Sequence, residues 1–134
     1  MRDVKNYEVF LKSHEMVLEI YNLTNKFPAI EREALGNQLR DSASSIPIAL
    51  INSNYRKSSV FFDYIQKALE GKERLEYFLL LSKELKILDQ GKWEKLYEEL
   101  TIISKMLVGI YKKKYGVKGE GSDNKADNYN VKNK

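Results

Sequence analysis

The chain has 134 residues, 43% of them hydrophobic and 31% charged, with seven glycines, two prolines and no cysteine. That length supports one domain of roughly 100–150 residues around a single core, and the lack of cysteine excludes disulfides, zinc–thiolate sites and a thiol nucleophile. Lys and Arg number 23 against 19 Asp and Glu, and the resulting charge of +4 favours an anionic partner or serves solubility alone.

The opening Met1-Arg2-Asp3-Val4-Lys5 lacks the apolar run of a signal peptide, and no stretch of about 18 apolar residues could span a bilayer. A soluble, cytoplasmic protein without a membrane partner is expected. Glycine and proline are sparse, so long helices are the natural reading. In the first, Val9, Ser13, Met16, Ile20, Leu23 and Phe27 recur by alternating fours and threes, flanked by Phe10, Val17 and Tyr21. Pro28 ends it, and Glu31 and Glu33 open the next helix, where the dipole favours carboxylates.

The second stripe, Leu35, Leu39, Ser42, Ile46, Ala49 and Ser53, is built largely from small residues that allow close helix approach. Pro47 within it removes one donor and collides with the carbonyl of Ala43, which predicts a kink or a break into two short helices. Asn52-Ser53-Asn54 ends the segment, and Ser58 or Ser59 can cap the third helix. Phe61, Ile65, Ala68, Lys72, Leu75 and Leu79 carry that helix to about Leu88. Asp89 is the expected N-cap of the fourth, whose stripe is Trp93, Leu96, Leu100, Ile103, Leu107 and Ile110. From Gly116 the composition turns to Gly, Asn, Lys and Asp, too polar to offset its ordering entropy, and a disordered tail is expected over 116–134.

Two stretches of the third helix, Val60–Ile65 and Tyr77–Leu81, are apolar around most of the circumference. Consecutive helical residues point about 100° apart, so these cannot all face one core. A second buried surface is expected, a homo-oligomer interface through Phe62, Tyr64, Tyr77, Phe78 and Leu80.

Catalytic constellations find no residues to build them. His14 is the one histidine and shares a face with Phe10, Val17 and Tyr21, which suits packing better than ligation or general-base work. Neither a zinc set nor the Glu-x-x-His pair of a di-metal bundle can be completed, although Glu70, Glu73 and Glu76 share a strip. A nucleophile elbow is missing, and Gly116–Gly121 lacks the spacing of a phosphate loop. Basic residues do cluster: Arg56-Lys57 lies in the turn after the second helix, and Lys112-Lys113-Lys114 ends the fourth between Tyr111 and Tyr115. Such groups meet phosphates while aromatics stack on unpaired bases, although a lysine run at a helix C-terminus also compensates the dipole.

Lys5-Asn6-Tyr7-Glu8-Val9-Phe10-Leu11-Lys12-Ser13-His14-Glu15, Phe27-Pro28, Leu35-Gly36-Asn37-Gln38-Leu39-Arg40, Ser45-Ile46-Pro47, Ala68-Leu69 and Leu75-Glu76 follow one another in an informative order. Together they resemble the four-helix-bundle proteins encoded in intervening sequences of 23S ribosomal RNA genes, a family also labelled S23 ribosomal protein. The resemblance implies an up-and-down bundle assembled as a homopentamer, with no enzyme activity and a nucleic-acid role. The same superfamily contains the accessory variability determinant of diversity-generating retroelements, a basic pentamer that binds a reverse transcriptase and nucleic acid. Leu39-Arg40-Asp41 and Leu79–Leu85 are similar to that branch, whereas Met106–Tyr111 lacks its Gly-Trp ending. The chain departs from the family after Pro47: Ile48-Ala49-Leu50-Ile51-Asn52-Ser53 stands where Ser/Ala-Asn-Ile-Ala-Glu-Gly is usual, and Asp41 replaces a second arginine.

The expectation is therefore an all-α, up-and-down antiparallel four-helix bundle over residues 1–115. It would be a non-enzymatic homo-oligomer, without metal or cofactor, that binds RNA or DNA through Arg40, Arg56, Lys57, Lys112, Lys113 and Lys114. The alternative is an adaptor that docks a reverse transcriptase, for which a neighbouring reverse transcriptase gene would be the sign.

Overall fold

A computed structural model describes residues 7–116, with side chains described through Lys113. The expectations for residues 117–134 and for the side chain of Lys114 lie outside the described residues. Helices α1 (Glu8–Thr24), α2 (Ala29–Glu33), α3 (Leu35–Ser53), α4 (Ser58–Glu84) and α5 (Gln90–Gly116) follow in chain order. Each long helix packs on its chain neighbour and α5 returns to α1, so α1, α3, α4 and α5 close a four-membered ring around one core. The antiparallel sense of α3 and α4 follows from two contacts: Gly71 meets Ser45, and Arg74, further along α4, meets Asp41, further back along α3.

The stripes close this ring much as their spacing demands. Leu35, Leu39, Ser42, Ile46, Ala49 and Ser53 are all buried, as are Val9, Ser13, Met16, Ile20 and Phe27, and Leu96, Leu100, Ile103 and Leu107. Buried hydroxyls would be costly if unsatisfied. Four buried serines turn back on their own helices: Ser13 donates to the carbonyl of Phe10 (3.0 Å), Ser42 to that of Gln38 (2.7 Å), Ser53 to that of Leu50 (2.7 Å) and Ser82 to that of Phe78 (2.7 Å). Small polar residues thereby line the seams without demanding partners across them.

Local details differ from the sequence pattern for identifiable reasons. Helix α3 runs unbroken through Pro47, so the two-helix alternative is excluded. The break falls instead at Ala34, whose φ of −83° and ψ of −77° interrupt the helix between α2 and α3. Helix α4 begins at Ser58 with Lys57 as its N-cap residue and no side-chain cap, so neither Ser58 nor Ser59 fills that role. It also stops four residues before Leu88. Lys86 takes a φ of 64°, its amide donates to the carbonyl of Lys83 (2.9 Å) and the amide of Ile87 to that of Ser82 (2.9 Å), a Schellman closure made without glycine. Asp89 does cap α5, its Oδ1 accepting from the amide of Lys92 at 2.8 Å.

Candidate nucleic-acid interface

Up-and-down topology sorts the basic residues by end. The α3–α4 turn, carrying Arg56 and Lys57, and the last turns of α5, carrying Lys112 and Lys113, meet at one end of the bundle; the rings of Phe62 and Tyr111, 4.9 Å apart, join the two elements there. Arg56 is held in place by its Nε, which donates to the carbonyl of Asn52 (2.8 Å), and by its guanidinium lying over the ring of Tyr64 (5.8 Å). A guanidinium has five donors, so this anchorage leaves capacity for an oxyanion. Glu8 and Asp63 supply counter-charge at the same end.

Helix dipoles separate the two basic groups. Lys112 and Lys113 sit in the C-terminal turns of α5, where cations offset partial negative charge, so structure alone accounts for them. Arg56 follows the C-terminus of α3, where its bond to the Asn52 carbonyl offsets that helix's dipole, while Lys57 is the N-cap residue of α4, where the dipole disfavours a cation. The α4 dipole therefore gives Lys57 no support.

Arg40 stands apart, at the opposite end, and is built into the fold. Its Nη1 donates to Thr24 Oγ1 (2.8 Å), its Nη2 to the carbonyl of Arg32 (2.9 Å) and to Asn37 Oδ1, and it lies 5.8 Å from the ring centre of Tyr21. One side chain thus ties α1, α2 and α3 together. Arg40 thus lies apart from the other expected phosphate contacts, with donors on both Nη atoms engaged in the junction.

The apolar residues expected at an oligomer interface divide similarly. Phe62 is a core residue, 8% exposed, and offers no surface to a second copy. Tyr64 and Phe78 are half-buried, the first under Arg56 and the second under Arg74 at 5.9 Å. Tyr77 and Leu80 remain outward, at 56% and 38% exposure. Sequence reasoning missed a second outward set, Leu11, Leu18 and Tyr21 on α1 with Ile48 and Ile51 on α3, all close to half exposed or more. The signal was present: Leu11 and Leu18 are one heptad apart, and Ile48 and Ile51 three residues apart, off the core stripe.

A cleft of about 70 Å³ between α1 and α5 is lined by Lys12, Glu15, Glu19 and Glu99 over a floor of Met16, Ile102 and Ile103. Burial first, then a hydrogen bond to Glu99 and the charges of Glu99 and Glu15, push the Glu19 carboxyl up from 4.5 to about 7, against the opposing pull of Lys95. A raised carboxyl stabilises the fold fully below its unfolded value, and that contribution is lost as pH rises from 4.5 through about 7. Thermal midpoints are expected to fall between about pH 5 and pH 8, and Glu19→Gln, neutral throughout, to remove about 1 kcal/mol of that fall after allowance for solvent screening. An equal fall in the variant would place its origin elsewhere. Among the described residues no group of three or more His, Cys, Asp or Glu is arranged to hold a metal ion. His14 is exposed and stacks on Phe10, with ring centres 6.2 Å apart and planes 8° from parallel.

Comparison with known proteins agrees with the helical fold. Residues 5–109 match the family model described as 23S rRNA-intervening sequence protein. A crystal structure from Bacteroides thetaiotaomicron VPI-5482, a protein with unknown function from the S23 ribosomal protein family, superposes with a TM-score of 0.69 at 26% identity, covering 76% of this chain and 96% of that one. No curated protein matches the chain. Among the described residues no helix is long and apolar enough to cross a membrane.

Proposed function

The chain belongs to the 23S rRNA-intervening sequence protein family, and we propose that it is a non-enzymatic homo-oligomer that binds RNA through the basic end of its bundle. The observation that carries the reading is the convergence of Arg56 and Lys57 of the α3–α4 turn with Lys112 and Lys113 of α5 at one end of the bundle, Lys57 standing where the α4 dipole disfavours a cation. Assembly is supported by the outward apolar residues of α1, α3 and α4, more than a monomer needs to expose. Symmetry in the pentamer that the family resemblance implies would repeat the basic end around an axis and multiply its attraction for phosphates.

Binding of the purified protein to a structured ribosomal RNA fragment, a single-stranded RNA and a DNA duplex, each across a salt titration, tests this. Affinity that persists near physiological salt with a preference for RNA is expected. Replacing Arg56 and Lys57 together by alanine is expected to lower the slope of log affinity against log salt by about two, one for each lost phosphate contact. An unchanged slope would remove the assignment. Weak binding that vanishes equally for all three ligands would remove the function and direct attention to a protein partner.

A further inference from the structure

Tyr55 sits at the tip of the α3–α4 turn, immediately before Arg56 and Lys57, with 67% of its surface exposed. Its backbone adopts a φ of 65°, the left-handed region that glycine enters freely and a bulky aromatic residue does not. The other left-handed residue, Lys86, closes the Schellman motif at the end of α4, so its conformation is demanded by a helix terminus. Tyr55 holds the third position of a type II turn, in which Asn54 has a φ of −64° and a ψ of 134° and the amide of Arg56 donates to the carbonyl of Ser53 (3.3 Å); the turn demands a positive φ there, which glycine supplies most freely, and nothing in it requires an aromatic side chain. Nor does its ring pack, since among the described residues it makes no aromatic, cation–π or side-chain hydrogen-bond contact, whereas Tyr64 nearby lies under Arg56. Glycine would suit this turn position better, and an exposed ring without a partner, directly beside Arg56 and Lys57, is free to meet a ligand.

The geometry points to Tyr55 as a stacking platform for an unpaired base, with Arg56 and Lys57 on the adjoining phosphates. This rests on the reading of the basic end as an RNA site and narrows its ligand to a single-stranded segment, because a duplex keeps its base faces covered and would leave the ring idle. The juxtaposition is of the kind single-strand binding uses: one exposed ring for a base face, flanked within two residues by cations for the backbone.

The test uses the full chain and an unstructured oligoadenylate RNA, its DNA counterpart and an RNA duplex as probes. Tyr55→Gly is the informative variant, since it removes the ring and relieves the backbone. Its thermal midpoint is expected to rise while its affinity for the oligoadenylate falls about tenfold, the size of one lost base–aromatic stack. Its salt slope stays that of the parent because no phosphate contact is lost. Tyr55→Phe keeps the parent affinity, and duplex binding is the same in all three proteins. The DNA strand reports whether a 2′-hydroxyl contributes: loss of affinity in Tyr55→Gly on both strands supports stacking. Parental affinity of Tyr55→Gly for oligoadenylate, together with a reduced slope in the Arg56/Lys57 double variant, overturns the platform and leaves the basic end standing. Parental behaviour of both variants overturns both.

Discussion

Arg40→Ala is expected to lower unfolding free energy by about 2–4 kcal/mol, measured by urea denaturation at one protein concentration. The guanidinium reaches Thr24 Oγ1 on α1, the carbonyl of Arg32 at the end of α2 and Asn37 one turn back on α3. Hydrogen bonds from a charged donor contribute about 1.5–3 kcal/mol each in favourable cases, and truncation also strands the carbonyl of Arg32 and the wholly buried Thr24 hydroxyl. Part of that loss is spared because Thr24 Oγ1 keeps its own bond to the carbonyl of Ile20 (2.8 Å) and water reaches the exposed contacts. Two bonds with partial relief give the stated range.

Arg40→Lys separates charge from geometry. An ammonium is a point donor and cannot bridge Thr24 Oγ1 and the Arg32 carbonyl from the two arms of a planar fork. It is expected to recover less than half of the loss. The neighbouring Gly36 belongs to the same device, since a Cβ there would stand 3.0 Å from Arg40 Nη1 and 3.4 Å from the carbonyl oxygen of Glu31. If Arg40→Ala stayed within about 0.5 kcal/mol of the parent, the ordinary range for an unremarkable surface position, the clamp would be refuted. A second readout bears on function: the salt slope of RNA binding should be unmoved in Arg40→Ala, which removes the charge, because this guanidinium is engaged in the junction.

This arginine also marks where sequence reasoning stops. The core stripe of α3 was legible because one period governs every residue on it, and the basic end was legible because antiparallel helices of known order must bring the α3–α4 turn beside the end of α5. Arg40 was not, since its partners lie eight and sixteen residues away and nothing in a single sequence tells a clamp from a ligand contact. Thr24 was passed over for Leu23 because hydropathy ranks leucine first, yet the buried residue is the threonine, whose hydroxyl bonds back to Ile20 and accepts from Arg40. In the run Val60–Ile65 periodicity has no polar residue to fix its phase until Asp63, and the inward ring proved to be Phe62 with Phe61 half-buried beside it. The end of α4 at Lys86 carried no glycine to announce it. The motifs behind the family resemblance acquire physical content at the same places: Gly36 gives room, Asn37 accepts, Leu39 fills the core and Arg40 clamps.

Gly71→Ala is the second large effect, and it should run against helix propensity. In an open helix interior the exchange gains about 1 kcal/mol. At Gly71 a Cβ would fall 2.1 Å from Ser45 Oγ, 3.3 Å from Ser45 Cβ and 3.4 Å from Ile46 Cγ1, where α4 crosses α3. The serine hydroxyl must leave, and in leaving it gives up its bond to the carbonyl of Ser42, 2.6 Å away. Overpacking of this kind costs about 1–3 kcal/mol, which less the propensity gain leaves a net destabilisation of up to about 2 kcal/mol. Ser45→Ala removes the hydroxyl and leaves only the two ordinary-to-tight carbon contacts, so Gly71→Ala made in that background should be close to neutral. A double-mutant cycle in urea is then expected to give a coupling of about 1 kcal/mol or more between positions 45 and 71. Additive effects would mean that the two helices separate there without resistance. A gain in stability from Gly71→Ala alone would mean the same, and the close crossing of α3 and α4 would lose its role in setting how the bundle closes.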